Sequence, residues 1–271
     1  MKEVIVRFLS GVLYISIILF SLFMAREWYV GLLFILAIIT LNEFLKLINI
    51  KGIIAYIILA VLFYFLAYKE INSVLILILL SATILINLFL IRDIMVLNKI
   101  SLLKSKRYLY IIFYIISGFI FLSLIPSLSE EKNFEPQIIL GIFILAWTND
   151  TFAYLVGKSF GKRKLMEKIS PKKTIEGFFG GMVGALFASF IFFKFTSISE
   201  YNLIFWLFLA LLVSVLGTIG DLIQSKFKRL AGVKDSGNIM PGHGGVYDRL
   251  DSIIFAGPFI YLFIIIINYV S

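Results

Sequence analysis

Four aspartates in the second half of the chain are spaced as if for one task. Asp150 follows Asn149 at the end of an apolar stretch in "LAWTNDTFAYLVGKSFGK" (145–162). Asp221 ends a second stretch in "VSVLGTIGDLIQSKFKR" (213–229). Asp248 and Asp251 open a third, three residues apart, which puts both on one face of any helix that begins there. Clustered carboxylates repel one another unless protons or cations hold them together, and hard oxygen ligands suit Mg²⁺ or Mn²⁺. Magnesium takes one or two protein carboxylates together with substrate phosphates, so this metal implies a phosphate-bearing ligand.

The neighbouring basic loops strengthen that implication. In "GKRKLMEKISPKKTIEG" (161–177), Ser170 and Pro171 are expected to set a turn before Lys172, Lys173 and Thr174. Thr174 or Ser170 can cap the helix that follows, whose first N–H groups and positive dipole end attract anions. Proline and glycine in "MPGHGG" (240–245) suggest a tight loop whose bare backbone approaches a ligand. Together these features describe a polyphosphate site. Each also has a plainer reading. His243, the sole histidine, fits a structural hydrogen-bonding role as well as catalysis. Gly177, Gly180, Gly181 and Gly184 have the spacing of a close-packed helix interface. Any single aspartate suits the cation or proton site of a transporter.

The elements that must position these groups are membrane helices. Of 271 residues, 61% are hydrophobic and only 15% charged, more apolar surface than a water-soluble fold can hide. Mean hydropathy is +1.03. Stretches without Asp, Glu, Lys or Arg run 8–25, 28–42, 52–68, 71–91, 108–129, 136–149, 177–193, 201–220 and 252–271. Most approach the roughly 20 residues a spanning helix needs, so the expected fold is all-α and polytopic with about nine transmembrane helices. The first stretch follows Lys2 and Arg7 but is too long for a signal peptide and lacks a small-residue cleavage site, so it reads as a retained helix. With a cytoplasmic N-terminus, 21 of the 25 Lys and Arg fall in cytoplasmic loops, as the positive-inside rule requires. That rule and anionic lipid headgroups account for much of the +9 net charge. The absence of cysteine excludes disulfides, thiolate nucleophiles and Cys-type zinc sites.

Two regions follow: 1–135, with about five plain spans, and 136–271, a catalytic region of about four spans with cytoplasmic loops. Glu43 is the exception in the first. An intramembrane acid there is a functional candidate, or it pairs locally with Lys46, three residues on.

"SKFKRLAGVKDSGNIMPGHGGVYDRLD" (225–251) closely resembles the signature of the phosphatidate cytidylyltransferases, or CDP-diacylglycerol synthases. The pattern is Ser, any residue, an apolar residue, Lys-Arg, four residues, Lys-Asp, then Pro-x-His-Gly-Gly and Asp-Arg-x-Asp. Met240 departs from it, where Leu, Ile or Phe is usual, and Ser236 stands where a bulkier apolar residue is common. The elements "WTND", "FAY", "GK" and "SPKKTIEG" extend the likeness over 145–252.

The resemblance implies CTP + phosphatidate → CDP-diacylglycerol + pyrophosphate, dependent on Mg²⁺, by a multi-pass and homodimeric enzyme of the cytoplasmic membrane. CTP would come from the cytoplasm and phosphatidate from the inner leaflet, with no nucleic-acid partner; Mn²⁺ in place of Mg²⁺, and a monovalent cation at the site, are both compatible with this reading. On this reading Asp221 and Asp248 are the principal metal ligands, and Asp251 and Asp150 direct or water-mediated partners. Lys172, Lys173, Lys226, Lys228 and Arg229 hold phosphates. Lys234, Asp235, His243 and Arg249 shape the loop or grip substrate, with Ser170, Thr174, Ser225 and Asn149 lining the substrate site; Lys226 and His243 join Asp221 and Asp248 in the catalytic set. The rivals are a cation-coupled transporter and a CTP-using enzyme for another lipid phosphate. The first predicts acids near the bilayer midplane and repeated halves, and no repeat is present in the sequence.

Overall fold

The computed structural model describes residues 2–70, 72–95, 107–128, 133–196, 201–242 and 244–270. An apolar segment that cannot use water must satisfy its backbone internally, and each of the nine apolar stretches does so as a helix. They are α1 (Lys2–Met24), α2 (Arg26–Leu47), α3 (Ile54–Leu62, extended through a wider π turn at Phe63–Tyr68), α4 (Ser73–Met95) and α5. The last starts at Arg107–Tyr110, widens at Ile111–Ile116 and continues through Ser117–Leu124. Then come α6 (Pro136–Phe160), α7 (Ile175–Phe195), α8 (Leu203–Leu230) and α9 (Tyr247–Val270). Among the described residues, seven helices are long and apolar enough to cross a membrane, namely α2 and α4 to α9. The apolar parts of α1 (Leu9–Met24) and of α3 with its extension (Ile54–Tyr68) are shorter. Exposed Leu, Ile and Phe side chains cover the outer faces, as lipid contact requires.

Between α6 and α7 lies a hairpin of β1 (Lys164–Met166) and β2 (Ser170–Thr174), antiparallel, with Lys164 opposite Thr174. This corrects the expected turn at Ser170 and Pro171. The chain reverses one step earlier, at 167–169, where Ile169 N donates to Met166 O (3.1 Å). Pro171 is tolerated because a two-stranded sheet leaves each strand an open edge. Thr174 is the residue that caps α7, its hydroxyl accepting from Gly177 N (3.1 Å). Glu176 then folds back to accept from Lys162 N (3.0 Å) and Arg163 N (3.1 Å), tying the hairpin to the first turn of α7.

Hydrogen bonds sort the connections to two ends. At one, Arg107 Nη1 donates to Asn49 O (3.2 Å) and Arg229 Nε to Ile169 O (3.3 Å), joining the α2–α3 turn, the start of α5, the hairpin and the end of α8. At the other, Arg26 donates to the carbonyls of Ala67 and Tyr68 and pairs with Glu70, and Asn268 Nδ2 donates to Leu128 O (2.7 Å).

Two packing features fix the site. Gly177, Gly180, Gly181 and Gly184 let α7 lie directly on α6; a Cβ on Gly181 would stand 2.7 Å from Asn149 O and one on Gly184 2.5 Å from the Phe152 ring. An aromatic cluster of Phe44, Tyr114, Phe227 and Tyr247 pins α2 and α5 to α8 and α9. Its ring centroids lie 5.0–6.4 Å apart, and the two tyrosine hydroxyls are 2.8 Å apart.

Candidate active site

At the end that carries the hairpin, a cavity of about 820 Å³ opens between α1, α6, the hairpin, α8 and α9. Asp150, Asp221, Asp235, Asp248 and Asp251 line it, facing Lys158, Lys164, Lys172, Lys173, Lys228 and Arg249. Its size suits a nucleotide-sized ligand. All four of the aspartates that sequence spacing singled out therefore meet in one chamber, from three different helices.

Two ion pairs organise it. Lys173 Nζ, from β2, sits 2.5 Å from Asp221 Oδ2, and Lys228 Nζ, from α8, 2.7 Å from Asp248 Oδ1. Ser225, one turn beyond Asp221 on α8, donates its hydroxyl to Asp221 Oδ1 (3.2 Å) and so fixes the carboxylate's other oxygen. Asp150, Asp221 and Asp251 lie near enough to feel one another's charge, and Lys173 offsets all three. Asp251 is held by Ser252 N (2.8 Å), and Asp150 by Asn149 Nδ2 (3.4 Å).

Asp248 differs from the others. Oδ1 accepts from Gln224 Nε2 (2.9 Å) as well as from Lys228, and Oδ2 accepts from Ser236 N (2.8 Å), Ser236 Oγ (2.9 Å) and Gly245 N (2.9 Å). One carboxylate thus ties both arms of the 231–246 loop to α8. Gly242 and Gly244 supply the reversal between the arms, with φ of 75° and 89°, and Met240 N closes it on Gly244 O (2.9 Å).

The oxygen-only donor set fits a hard divalent cation. As they stand, no three acidic side chains among the described residues are close enough to hold one. Asp221 and Asp248 are turned instead to their lysines.

Other expected residues fall outside the lining. Arg229 points away: besides Ile169 O, it donates to Val233 O (3.4 Å), bracing the hairpin and the end of α8 rather than facing a phosphate. Ser170, Ser225, Lys226 and Lys234 do not line the cavity either, whereas Lys172, Lys173, Thr174, Asp235, Arg249 and Asn149 do. His243 lies outside the described residues.

The structure adds residues that sequence reasoning passed over. Gly11, Tyr14 and Ile15 of α1 form one wall, and Ser10 Oγ donates to Pro241 O (3.1 Å) in the loop. The Tyr14 hydroxyl is buried without a hydrogen-bond partner. Nothing in an apolar first helix signals this. Gln224 was more accessible to reasoning, being a lone amide three residues after Asp221. Glu43 is buried, and its carboxylate bonds the loop and the start of α9 rather than Lys46, which is exposed.

Comparison with known proteins adds an independent line. The profile of the cytidylyltransferase family matches residues 5–267. The phosphatidate cytidylyltransferase of Bacillus subtilis (strain 168) is 47% identical over 135 residues, 49% of this chain and 50% of that protein. That of Staphylococcus saprophyticus is 39% identical over 170 residues, 62% of each chain. That of Staphylococcus haemolyticus (strain JCSC1435) is 34% identical over 275 residues, 96% of this chain and 98% of that protein. The alignment therefore spans about half the length of the first relative and nearly all of the third.

Proposed function

This chain belongs to the cytidylyltransferase family, and we propose that it transfers the cytidylyl group of CTP to phosphatidate, releasing CDP-diacylglycerol and pyrophosphate. The observation that carries the reading is the pair of lysine–aspartate contacts, Lys173 on Asp221 and Lys228 on Asp248, facing one cavity beside the signature loop. The relatives named for this reaction support the choice of substrates.

In the proposed reaction an oxygen of the phosphatidate phosphate attacks the α-phosphorus of CTP. The new O–P bond forms as the bond to the β-phosphate oxygen breaks, and pyrophosphate leaves with that electron pair. The attacking oxygen is already anionic near neutral pH, so charge rather than proton transfer is the obstacle. At an effective dielectric near 20, two like charges about 4 Å apart repel by roughly 4 kcal/mol, and the substrates bring several such pairs. Lys173 and Lys228 turn from their carboxylates to the phosphates, while Lys172, Lys158, Lys164 and Arg249 add cations around the same chamber. Asp221 and Asp248, with Asp251 and Asp150 alongside, would hold Mg²⁺ (or Mn²⁺), which when bound neutralises the triphosphate. Thr174 caps the first turn of α7 at the cavity wall, and Ser225 keeps Asp221 in place.

The same proposal sets the cavity end toward the cytoplasm, where CTP meets a lipid retained by its acyl chains in the inner leaflet, and takes the working unit to be a homodimer. The test is purified protein with α-labelled CTP, phosphatidate and Mg²⁺. Equal amounts of CDP-lipid and pyrophosphate, lost on chelation and restored by added Mg²⁺, support the reading. CTP left intact, or consumed without a CDP-lipid, refutes it.

A further inference from the structure

We propose that Glu43, on a helix far in sequence from the signature, is a positioning residue that locks the 236–247 segment and through it Asp248. This rests on the proposed reaction, because the segment it holds is the one that frames the site.

Glu43 lies near the C-terminal end of α2 and is 2% exposed. An acid there is repelled by the dipole of its own helix, so it does not serve α2. Its carboxylate reaches across the bundle instead. Oε1 accepts from Val246 N (3.1 Å), and Oε2 from Tyr247 N (2.8 Å) and Ser236 Oγ (3.0 Å). Val246 and Tyr247 are the entry to α9, whose first amides have no partners within the helix. The negative charge from α2 thus caps α9 from outside, in the place a local capping side chain usually fills.

Ser236 connects this cap to the site. Its hydroxyl stands 3.0 Å from Glu43 Oε2 and 2.9 Å from Asp248 Oδ2, and it has one proton to share between them. Two carboxylates therefore grip the same short segment, Asp248 by Ser236 N and Gly245 N, and Glu43 by the next two amides.

Two loop glycines make room for this contact, Gly237 for Glu43 and Gly245 for Glu43 together with the Ser236 hydroxyl, which a Cβ there would meet first. A Cβ on Gly237 would stand 2.4 Å from Glu43 Oε1, and one on Gly245 would stand 2.5 and 2.6 Å from the two Glu43 oxygens. Neither glycine has the left-handed backbone of Gly242 and Gly244. Their role is to leave room for the Glu43 carboxylate and, at Gly245, for the Ser236 hydroxyl bonded to it. Behind it, Phe44 packs on Tyr247 and Phe227 with ring centroids 5.9 and 5.0 Å away, so the helix that carries the acid cannot slide.

The test uses the full-length protein and two variants. Glu43→Gln keeps the shape but presents an NH₂ group to donors. Amides of the 244–248 segment should exchange with deuterium at least about 10-fold faster than in wild type, with the other helices unchanged. Misplacing the site by a fraction of an ångström to about 1 Å should lower kcat about 10- to 100-fold, with the KM for CTP changed far less. Ser236→Ala leaves the two amide bonds to Glu43 intact and cuts only the hydroxyl link. It should lower kcat less, leave exchange at Val246 and Tyr247 near wild type, and combine with Glu43→Gln less than multiplicatively. Wild-type exchange or wild-type kcat in Glu43→Gln overturns the inference, and so does faster exchange spread evenly over all helices. If Glu43→Gln fails to fold, an unchanged kcat in Ser236→Ala overturns it. Wild-type protein that makes no CDP-lipid would overturn the reaction on which the inference rests, while exchange in Glu43→Gln would still decide whether Glu43 anchors the segment.

Discussion

Asparagine at position 248 has the shape of the native aspartate, so Asp248→Asn isolates the carboxylate's charge and its second acceptor oxygen. Asp248 Oδ1 faces two donors, Gln224 and Lys228, and Oδ2 faces three, from Ser236 and Gly245. Whichever way the amide turns, its NH₂ points at N–H groups. The Lys228 and Asp248 side chains are only 13% and 7% exposed, so water screens the pair weakly. Removing one partner of a buried, hydrogen-bonded pair typically costs about 3–5 kcal/mol. If the whole of that falls on the assembled site, at 1.36 kcal/mol per factor of ten it is roughly two to nearly four powers of ten in turnover. We expect Asp248→Asn to lose at least about 100-fold in kcat. It should still insert and purify as a single species, since the apolar helices are untouched. The assay is CDP-lipid formation by the purified variant in detergent, beside deuterium exchange of residues 236–247. Turnover within a few-fold of wild type would refute both the metal assignment and the anchoring that the hydrogen bonds describe.

Asp221→Asn should abolish turnover without loosening the 231–246 loop, because Asp221 bonds Lys173 and Ser225 rather than the loop; activity and exchange measured on one sample separate the two aspartates. Thr174→Val should lose the α7 cap, lowering stability by about 1 kcal/mol, seen as a fall of a few degrees in the thermal midpoint, and should weaken CTP binding. Gly181→Ala places a methyl 2.7 Å from Asn149 Oδ1 and O, forcing α6 from α7; thermal melting should shift down by several degrees, and activity should fall because Asp150 follows Asn149. A Gly181→Ala protein as stable as wild type would contradict the close packing.

The helices were legible because membrane burial writes itself into composition, and the nine apolar stretches each became one. Among the described residues, the Leu9–Met24 part of α1 and α3 with its extension (Ile54–Tyr68) are shorter than the other seven. The acids were legible for a related reason: an aspartate at the end of an apolar run is costly unless used, and Asp150, Asp221, Asp248 and Asp251 share one chamber. The hairpin was not, since its strands are short, polar and basic and carry no two-residue alternation. Glu43 shows why proximity in sequence misleads. Its spacing to Lys46 allowed an ion pair as readily as a functional role, but the amides at the entry to α9, 203 and 204 positions away, are better partners for a buried carboxylate than a solvated ammonium. Arg229 failed in the opposite sense: a signature position suggested a ligand, and the carbonyls of Ile169 and Val233 hold it. Tyr14 had no signal at all, because an aromatic residue in an apolar helix looks the same whether it faces lipid or substrate.

The bond from Ser10 to Pro241, spanning 231 positions, has a consequence for birth rather than for catalysis. A ribosome adding about 5–20 residues per second needs roughly 10–50 s to travel from one partner to the other. Throughout that interval the Ser10 hydroxyl lacks the carbonyl it bonds in the finished fold, and the wall that α1 gives the cavity has no loop to meet. The cavity therefore closes only when nearly all of the chain between these two residues has been made.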